Sequence, residues 1–337
     1  MQRVLVVKTS SLGDVVHTLP ALTDAAGRFD GIRFDWVVEE AFAEVPAWHP
    51  AVERVIPVAL RRWRKDWSAA RQSGEWERFR ERFRGRRYDR VIDAQGLLKS
   101  AWLTRKARGT KVGLSWRSAR EPLASLAYDR RIVVPRGLHA VERVRRLFAG
   151  ALGYALPESV PEFGLESMHL PSPVEGDYVV FLHGTTWATK HYPEGDWAAL
   201  VRMAGDAGLK VALPWGNDGE RQRAERLALA HDAARVLPRM DLRTVSGLLA
   251  GARGVISVDT GLSHLAAALA VRQVCIYGAT DPARTGTVGR GQDHARVDYE
   301  CAPCFKRECP YAGIASQPSP CFATVSPSAV WNRLGLG

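Results

Sequence analysis

The chain has 337 residues, 46% of them hydrophobic and 25% charged, and a formal net charge of +11. This length suits two domains of about 150 residues each, and the composition excludes an intrinsically disordered protein. Apolar runs such as Val4–Val7 are much shorter than the ~18 residues of a transmembrane helix. The first residues lack the apolar core of a secretory signal. We therefore expect a two-domain cytoplasmic protein whose positive charge favours an acidic partner.

The first half of the chain alternates strand-like and helix-like segments. Short apolar and β-branched runs predict strands at Arg3–Lys8, Phe34–Val38, Val55–Leu60, Arg90–Asp93, Lys111–Leu114 and Arg131–Val134. This alternation predicts an α/β fold with a mostly parallel, doubly wound sheet. Four prolines then interrupt the pattern at 157–173. We place domains at 1–160 and 174–337, with a linker at 161–173.

A second α/β series follows the linker. Its predicted strands are Tyr178–Leu182, Lys210–Pro214, Ala234–Leu237, Gly254–Val258 and Gln273–Tyr277. Its predicted helices are Asp196–Gly205, Glu220–Ala230, Asp241–Ala250 and Leu262–Leu269. Each half therefore predicts its own parallel sheet.

The segment KTSSLGDVVHTLP follows the first strand and opens a helix. It places Ser10, Ser11, Gly13 and Asp14 at the carboxyl edge of the sheet, where doubly wound folds bind ligands. The competing interpretation is that Ser11 or Asp14 only caps the helix.

Two segments of the second half indicate an anion site. Thr185, Thr186 and Lys190 follow one strand, and their hydroxyls and ammonium group suit a diphosphate. A turn with a solvated lysine is the alternative.

Asp259-Thr260-Gly261 follow another strand and open a helix whose free amides favour an anion. His264 lies in its first turn, although a lone histidine is more often structural. The sequence has no GxxxxGK[ST] motif, which argues against a P-loop enzyme.

The basic charge is concentrated in Arg61–Arg90, which carries a net charge of +7. At its start, RRWRKDW places Arg61, Arg62, Arg64 and Lys65 beside two tryptophans, a composition that suits phosphates, carboxylates and rings. A solvated charge run is the alternative. Arg78–Arg87 has the pattern of an amphipathic helix.

Four of the five cysteines lie in the C-terminal tail, at Cys301, Cys304, Cys309 and Cys321, and Cys275 lies in a predicted strand. Four thiols at this spacing suit structural zinc, or equally free thiols in a reducing compartment. Because the second pair is not CxxC and no DxD or HExxH motif is present, we expect neither a metal nor a cofactor.

Ten segments occur in order between Arg3 and Pro282: KTSSLGDVVHTLPAL, FDWVVEE, RRWRKDW, DAQGLLKSA, REPLASL, HAVER, TKHYPEGDW, LPWG, SVDTGLSHLAAAL and YGATDP. Together they resemble the heptosyltransferases, the inverting enzymes of glycosyltransferase family 9. The resemblance implies a GT-B fold, with two Rossmann-like domains facing across a cleft. It also implies an acceptor site on the N-terminal domain and an ADP-heptose site on the C-terminal domain.

The same resemblance assigns roles residue by residue. Asp14 matches the general base, and Lys190 matches the residue that contacts the donor phosphate and sugar. The other matched donor positions are Thr185, Thr186, Glu220, Met240, Asp259, Thr260, Gly261 and His264. The candidate acceptor residues are Ser10, Ser11, Gly13, Arg61, Arg62, Arg64, Lys65 and Arg120.

The acceptor that this resemblance implies is the Kdo of Kdo-lipid A, reached by peripheral contact with the cytoplasmic face of the inner membrane. The tail after Pro282 is more similar to heptosyltransferases that use another core sugar, which leaves that acceptor open. A protein that binds nucleotide without transfer is a further alternative. A nucleic-acid-binding protein would also explain the charge, but the sequence contains none of the common nucleic-acid-binding motifs.

Overall fold

The computed structural model describes residues 2–165, 168–311 and 319–336. The chain divides into two compact units, Met1–Leu165 and Glu166–Gly337. Each unit is built on one six-stranded sheet in which all pairings are parallel. The predicted α/β class with two doubly wound sheets is confirmed.

The strands of the first unit are β1 (Arg3–Val7), β2 (Arg33–Glu39), β3 (Val52–Val58), β4 (Arg87–Asp93), β5 (Arg108–Leu114) and β6 (Arg130–Ile132). Their order in the sheet is β3-β2-β1-β4-β5-β6. Val4–Val7 are fully buried, as expected for a central parallel strand covered on both faces.

The helices of the first unit are α1 (Leu12–Val16), α2 (Leu19–Arg28), α3 (Glu44–Ala47), α4 (Leu60–Trp63), α5 (Trp67–Gln72), α6 (Glu75–Arg84), α7 (Leu98–Lys106) and α8 (Ala140–Leu152). Short 3-10 helices cover Glu40–Phe42 and Pro122–Ala127. In α6 the buried residues are Phe79 and Phe83, one turn apart, and arginines cover its outer face.

Two boundaries predicted in and just before the basic segment Arg61–Arg90 are wrong. The strand predicted at Val55–Leu60 ends at Val58, and Leu60 already begins α4. The amphipathic helix predicted at Arg78–Arg87 spans Glu75–Arg84 instead, and Arg87 begins β4. Ala59 and Leu60 continue the apolar run beyond the end of the strand, and the arginine-rich sequence at 84–87 lacks the apolar contrast that marks a helix end.

The second unit repeats the architecture with β7 (Tyr178–Leu182), β8 (Lys210–Leu213), β9 (Ala234–Val236), β10 (Gly254–Val258), β11 (Gln273–Tyr277) and β12 (Gln292–Arg296). The strand order is β12-β11-β10-β7-β8-β9. The edge strand β12 has the polar sequence QDHAR, which carries no apolar run and was not predicted.

The helices of the second unit are α9 (Glu194–Asp206), α10 (Asp218–Ala228), α11 (Leu242–Ala250), α12 (Gly261–Ala268), α13 (Pro282–Thr285) and α14 (Pro327–Leu334). Short 3-10 helices cover Ala188–Lys190 and Pro320–Thr324. The Asn217 side chain accepts a hydrogen bond at the start of α10, and Asp241 does the same for α11. None of the helices in the described part of the chain is long and apolar enough to cross a membrane.

In both sheets the strand order reverses beside the first strand. β1 lies between β2 and β4, and β7 lies between β8 and β10. The loops that leave the carboxyl ends of these strands diverge there and open a crevice at the sheet edge. The predicted segments that carry Asp14, Lys190 and Asp259 follow β1, β7 and β10, respectively.

Candidate functional sites at the two sheet edges

Asp14 lies in the first turn of α1, directly after the loop that leaves β1. One carboxylate oxygen, Oδ2, accepts hydrogen bonds from the backbone N–H and the hydroxyl of Ser11, both at 2.9 Å. The capping role considered for Asp14 is therefore present. The other oxygen, Oδ1, lies 3.4 Å from Nζ of Lys8, and the side chain is 44% exposed. One half of the carboxylate caps the helix, and the other half is available to a ligand.

The surroundings of Asp14 stabilise its ionised form. Desolvation raises the pKa of its carboxyl, but the Lys8 ammonium, the hydrogen bonds from Ser11 and the nearby His17 outweigh it. The net effect holds the pKa of Asp14 well below its usual value. Lys8 is itself buried, and its ammonium also donates to the carbonyl of Ala94 at 3.1 Å. Asp14 is consequently a carboxylate at neutral pH.

Lys99 is a residue of this site that the sequence analysis did not name. It lies in the first turn of α7, after β4, and its ammonium donates to the Ser10 hydroxyl at 3.1 Å. Desolvation lowers the pKa of Lys99, and so do the positive charges of Arg61 and Arg64. These cations therefore lie close enough to interact. The signal available in the sequence was the position of Lys99 just after a strand, in DAQGLLKSA.

The four predicted basic residues after β3 have different environments. The guanidinium of Arg62 donates to the carboxylates of Glu40 and Glu75, at 2.8 to 3.1 Å. Arg61, Arg64 and Lys65 are exposed. Arg62 is thus already held by two acidic partners, whereas its neighbours extend the positive surface around Lys99.

The tryptophans of this segment also differ. Trp63 is buried in the core, and its indole N–H donates to Glu75 at 2.8 Å. Because its ring is buried, Trp63 has no free face on which a ligand could stack. Trp67 is exposed.

Arg120 lies in the connection between β5 and the 3-10 helix Pro122–Ala127, and it is exposed. The backbone of Arg120 passes close to Gly96 in the loop after β4. A Cβ atom added to Gly96 would lie 3.6 Å from the backbone nitrogen of Arg120. Arg120 therefore belongs to the same sheet edge as Lys99.

In the second unit, Lys190 and Asp259 form a close ion pair. The ammonium of Lys190 donates to Oδ2 of Asp259 at 2.6 Å, and the Thr280 hydroxyl donates to the same oxygen at 2.6 Å. Oδ1 of Asp259 lies 3.7 Å from Nε2 of His264. Desolvation raises the pKa of Asp259, but His264 and Lys190 more than offset it and keep the carboxyl ionised. Thr280, after β11, was missed because it lies in another loop.

The neighbouring hydroxyls and amides complete this edge. The Thr185 hydroxyl donates to the carbonyl of Asp259 at 3.0 Å, which connects the loops after β7 and β10. Thr186 is exposed. Thr260 precedes α12, so the backbone N–H of Gly261 lies in its first turn. A helix N-terminus beside a lysine suits a diphosphate.

Glu220 packs directly against the loop after β7. Its Oε2 atom accepts a hydrogen bond from the Gly216 backbone at 2.8 Å. At Gly184 a Cβ atom would lie 2.5 Å from the carboxyl carbon of Glu220, so only glycine admits this approach. Met240 is partly exposed and precedes the Asp241 cap of α11. A carboxylate held here is suited to sugar hydroxyls.

The cysteine-containing tail packs on these loops. The Thr189 hydroxyl donates to the carbonyl of Lys306 at 2.6 Å. The Trp187 ring lies 4.5 Å from the Lys190 ammonium and 5.3 Å from the Arg307 guanidinium. Lys190 and Arg307 therefore contact the same ring, and the second cation was not evident from the sequence.

All five cysteines fall within the described residues and are free thiols. Burial raises the pKa of Cys321 to about 11, with further contributions from Cys301, Cys309 and Cys304. The four tail thiols are thus close enough to interact. In the described ranges, no group of three or more His, Cys, Asp or Glu side chains is arranged to hold a metal ion.

Comparison with known proteins agrees with this architecture. The family described as glycosyltransferase family 9 (heptosyltransferase) matches residues 76–315. Lipopolysaccharide heptosyltransferase 1 of Pseudomonas aeruginosa is 54% identical to this chain, in an alignment that covers 98% of this chain and 97% of the relative. That alignment is long enough to include most of the cysteine-containing tail.

Two solved structures are also similar. The E. coli heptosyltransferase WaaC with ADP-2-deoxy-2-fluoro heptose superposes with a TM-score of 0.85 at 47% identity, covering 99% of each chain. E. coli ADP-heptose lps heptosyltransferase II has a TM-score of 0.75 at 19% identity, covering 99% of this chain and 98% of its own, and supports the fold alone. The chain belongs to glycosyltransferase family 9, the heptosyltransferases.

Proposed function

We propose that the protein transfers L-glycero-D-manno-heptose from ADP-heptose to the Kdo of Kdo-lipid A, with inversion at the anomeric carbon. The observation that carries the proposal is the pair of charged sites at the two strand-order reversals. One holds an ionised carboxylate among lysines, and the other holds a lysine among hydroxyls and helix amides. The first suits an acceptor hydroxyl, and the second suits a diphosphate.

Asp14 is the general base in this proposal. The acceptor hydroxyl attacks the anomeric carbon, the bond from that carbon to the ADP oxygen breaks, and the hydroxyl proton passes to Asp14. A carboxylate of low pKa is a weak base toward a free alcohol. It becomes competent as the new C–O bond makes the proton acidic. Ser10, Ser11 and Gly13 surround the acceptor, and Lys99 binds its acidic groups.

The leaving ADP gains negative charge as its bond to the sugar breaks. Lys190, the Thr185 and Thr186 hydroxyls and the amides at Thr260 and Gly261 stabilise that charge. Thr185 now donates to the Asp259 carbonyl, so its hydroxyl must rotate to donate to a phosphate oxygen. This mechanism needs no metal ion.

The remaining donor contacts follow from the same geometry. Asp259, held by His264, positions Lys190 through their ion pair. Glu220 accepts hydrogen bonds from the ribose hydroxyls, and Met240 packs against the adenine. Arg307, which contacts the Trp187 ring as Lys190 does, adds positive charge to this region.

The acceptor assignment is supported by two observations. The lipopolysaccharide heptosyltransferase 1 of Pseudomonas aeruginosa is 54% identical to this chain and the E. coli heptosyltransferase WaaC 47%, whereas E. coli heptosyltransferase II is 19% identical. The exposed cations Arg61, Arg64, Lys65 and Arg120 suit the carboxylates and phosphates of Kdo-lipid A. Arg62 contributes indirectly, by fixing the segment through Glu40 and Glu75. Because this acceptor is a lipid, we place the enzyme peripherally on the cytoplasmic face of the inner membrane.

The test is incubation of the purified protein with ADP-heptose and an acceptor panel, read by mass spectrometry. We expect one heptose to be added to deacylated Kdo-lipid A, and none to the same acceptor that already carries its first heptose. The reverse preference would assign the second transfer instead. Tight ADP binding without product in every arm would reject the enzyme in favour of a nucleotide-binding protein.

A further inference from the structure

Five large apolar side chains lie exposed on neighbouring elements of the first unit: Trp67, Leu98, Trp102, Leu123 and Leu126. Each is between 42% and 59% exposed. We call them the Trp/Leu surface. Clusters of exposed large apolar residues mark interaction sites on folded proteins.

Ring contacts make the tryptophan part of this surface continuous. Trp76 lies between the other two, with its ring centroid 5.0 Å from that of Trp67 and 5.7 Å from that of Trp102, on which it stacks. These rings bridge α5, α6 and α7. Tryptophan is enriched where proteins meet the membrane interface.

The leucine part is continuous with it through α7. Leu98 and Trp102 are four residues apart in α7 and share one face. The Leu98 backbone N–H donates to the Glu121 carboxylate at 2.6 Å, which joins α7 to the 3-10 helix Pro122–Ala127. In that helix Leu123 and Leu126 are one turn apart and lie on the same side.

Positive charge flanks these apolar residues. Arg105 and Lys106 end α7, Arg64 and Lys65 precede α5, and Arg71 lies within α5; all are exposed. Apolar and aromatic side chains flanked by lysine and arginine complement an anionic bilayer, into which the former insert while the latter meet the headgroups.

The acceptor site borders this surface. Lys99, whose ammonium reaches Ser10 beside Asp14, immediately follows Leu98 in α7. An enzyme that acts on a lipid must hold its acceptor site at the membrane surface. This step rests on the proposed function.

We propose that the Trp/Leu surface docks the enzyme on an anionic lipid bilayer and thereby presents the acceptor site to a membrane-anchored sugar. The apolar side chains insert between headgroups, and the surrounding arginines and lysines neutralise lipid charge.

The test is co-sedimentation of the full chain with vesicles that contain no acceptor, made of phosphatidylcholine alone or with added phosphatidylglycerol. We expect binding to the anionic vesicles, weakened by salt. Leu123→Ser/Leu126→Ser should lower the partition coefficient at least about tenfold, and Arg105→Gln/Lys106→Gln should lower it about thirtyfold. The matched control is Leu229→Ser in the second unit, at an 87% exposed leucine.

The proposal would be overturned if the double leucine variant bound vesicles as strongly as wild type. It would also be overturned if Leu229→Ser lowered the partition coefficient as much as the double leucine variant does. Equal binding to both vesicle types would reject the anionic partner. In a further arm with lipid A added to the vesicles, binding that appears only there would overturn the proposal and assign the surface to acyl chains of the acceptor. In size-exclusion chromatography without vesicles, a dimer that is lost in the leucine variant would overturn it in favour of a second copy. Circular dichroism and vesicle-free transfer to deacylated acceptor should match wild type. If wild type itself fails that transfer, the proposed function fails, whatever the vesicles show.

Discussion

The Nζ atom of Lys190 lies 2.6 Å from Oδ2 of Asp259, and their side chains are only 15% and 8% exposed. The ion pair joins the loop after β7 to the loop after β10. Each charge therefore stabilises and orients the other at the edge where we place the donor diphosphate.

We predict that Lys190→Met lowers kcat/KM for ADP-heptose about tenfold to a hundredfold, because it removes a charge-assisted contact. It should also lower the free energy of unfolding, by up to about 3–5 kcal/mol, because Asp259 stays buried without its cation. Steady-state kinetics and urea unfolding measure both effects. Lys190→Met/Asp259→Asn should regain stability but not donor use. An unchanged kcat/KM for ADP-heptose together with a lowered kcat/KM for the acceptor would contradict the assignment of Lys190 to the donor site.

Asp14→Asn should lower turnover by about 10² to 10⁴, the usual cost of losing a general base. Asparagine keeps an oxygen that can accept from the Ser11 backbone, so the helix cap and the fold should persist. ADP-heptose affinity, measured by calorimetry, should stay unchanged. Ser11→Ala separates the two roles of this segment: it removes one hydrogen bond to Asp14 and a contact with the acceptor but leaves the carboxylate, so it should change the acceptor KM more than turnover. A variant that keeps more than about half of the turnover would reduce Asp14 to a capping residue.

Lys8→Met should change the pH dependence of the reaction. The Lys8 ammonium helps to lower the pKa of Asp14, so its removal raises that pKa. Because Asp14 acts as a carboxylate, the acid limb of kcat/KM should move upward by about 1–3 pH units. Profiles of both proteins over the pH range in which they stay folded test this. A profile that falls in amplitude without moving would mean that Lys8 has only a structural role.

Neutralising Arg61, Arg64 and Lys65 to glutamine should raise the acceptor KM and flatten its dependence on salt. The reason is that exposed charge contacts weaken as the Debye length falls to about 10 Å at 0.1 M salt. Donor KM should barely move. Arg62→Gln is the matched comparison, since two carboxylates already engage Arg62. If the acceptor KM depends equally on salt in the triple variant and in wild type, these side chains only form a solvated surface. Arg120→Gln should change the acceptor KM and its salt dependence in the same direction as the triple variant.

Gly184→Ala should raise the donor KM with little change in stability. The added methyl would lie 2.5 Å from the carboxyl carbon of Glu220, the mobile end of a flexible side chain that can be displaced at small cost. Glu220 would then leave the position from which it binds the ribose. Gly195→Ala is the control, because nothing lies within 4 Å of its added carbon. An unchanged KM for ADP-heptose in Gly184→Ala would remove Glu220 from the donor site.

Much of the local structure follows from the sequence itself. The apolar runs at Val4–Val7 and Tyr178–Leu182 predict buried central strands, and the structure confirms both. The turn residues after them predict the loops that lead to Asp14 and Lys190. Such features depend on a few consecutive residues, whose hydrophobic pattern and turn propensity are legible without the fold.

Contacts between distant segments were decided by the tertiary structure. Ser10 and Lys99 are 89 positions apart and meet because β1 lies beside β4 in the sheet. Thr280 reaches Asp259 because β11 pairs with β10. The sequence around Arg62 does not show that Glu40 and Glu75 pair with its guanidinium in the folded unit. Strand order and side-chain packing are set by burial across the whole unit, and the short sequence around each residue does not encode which remote partner it meets.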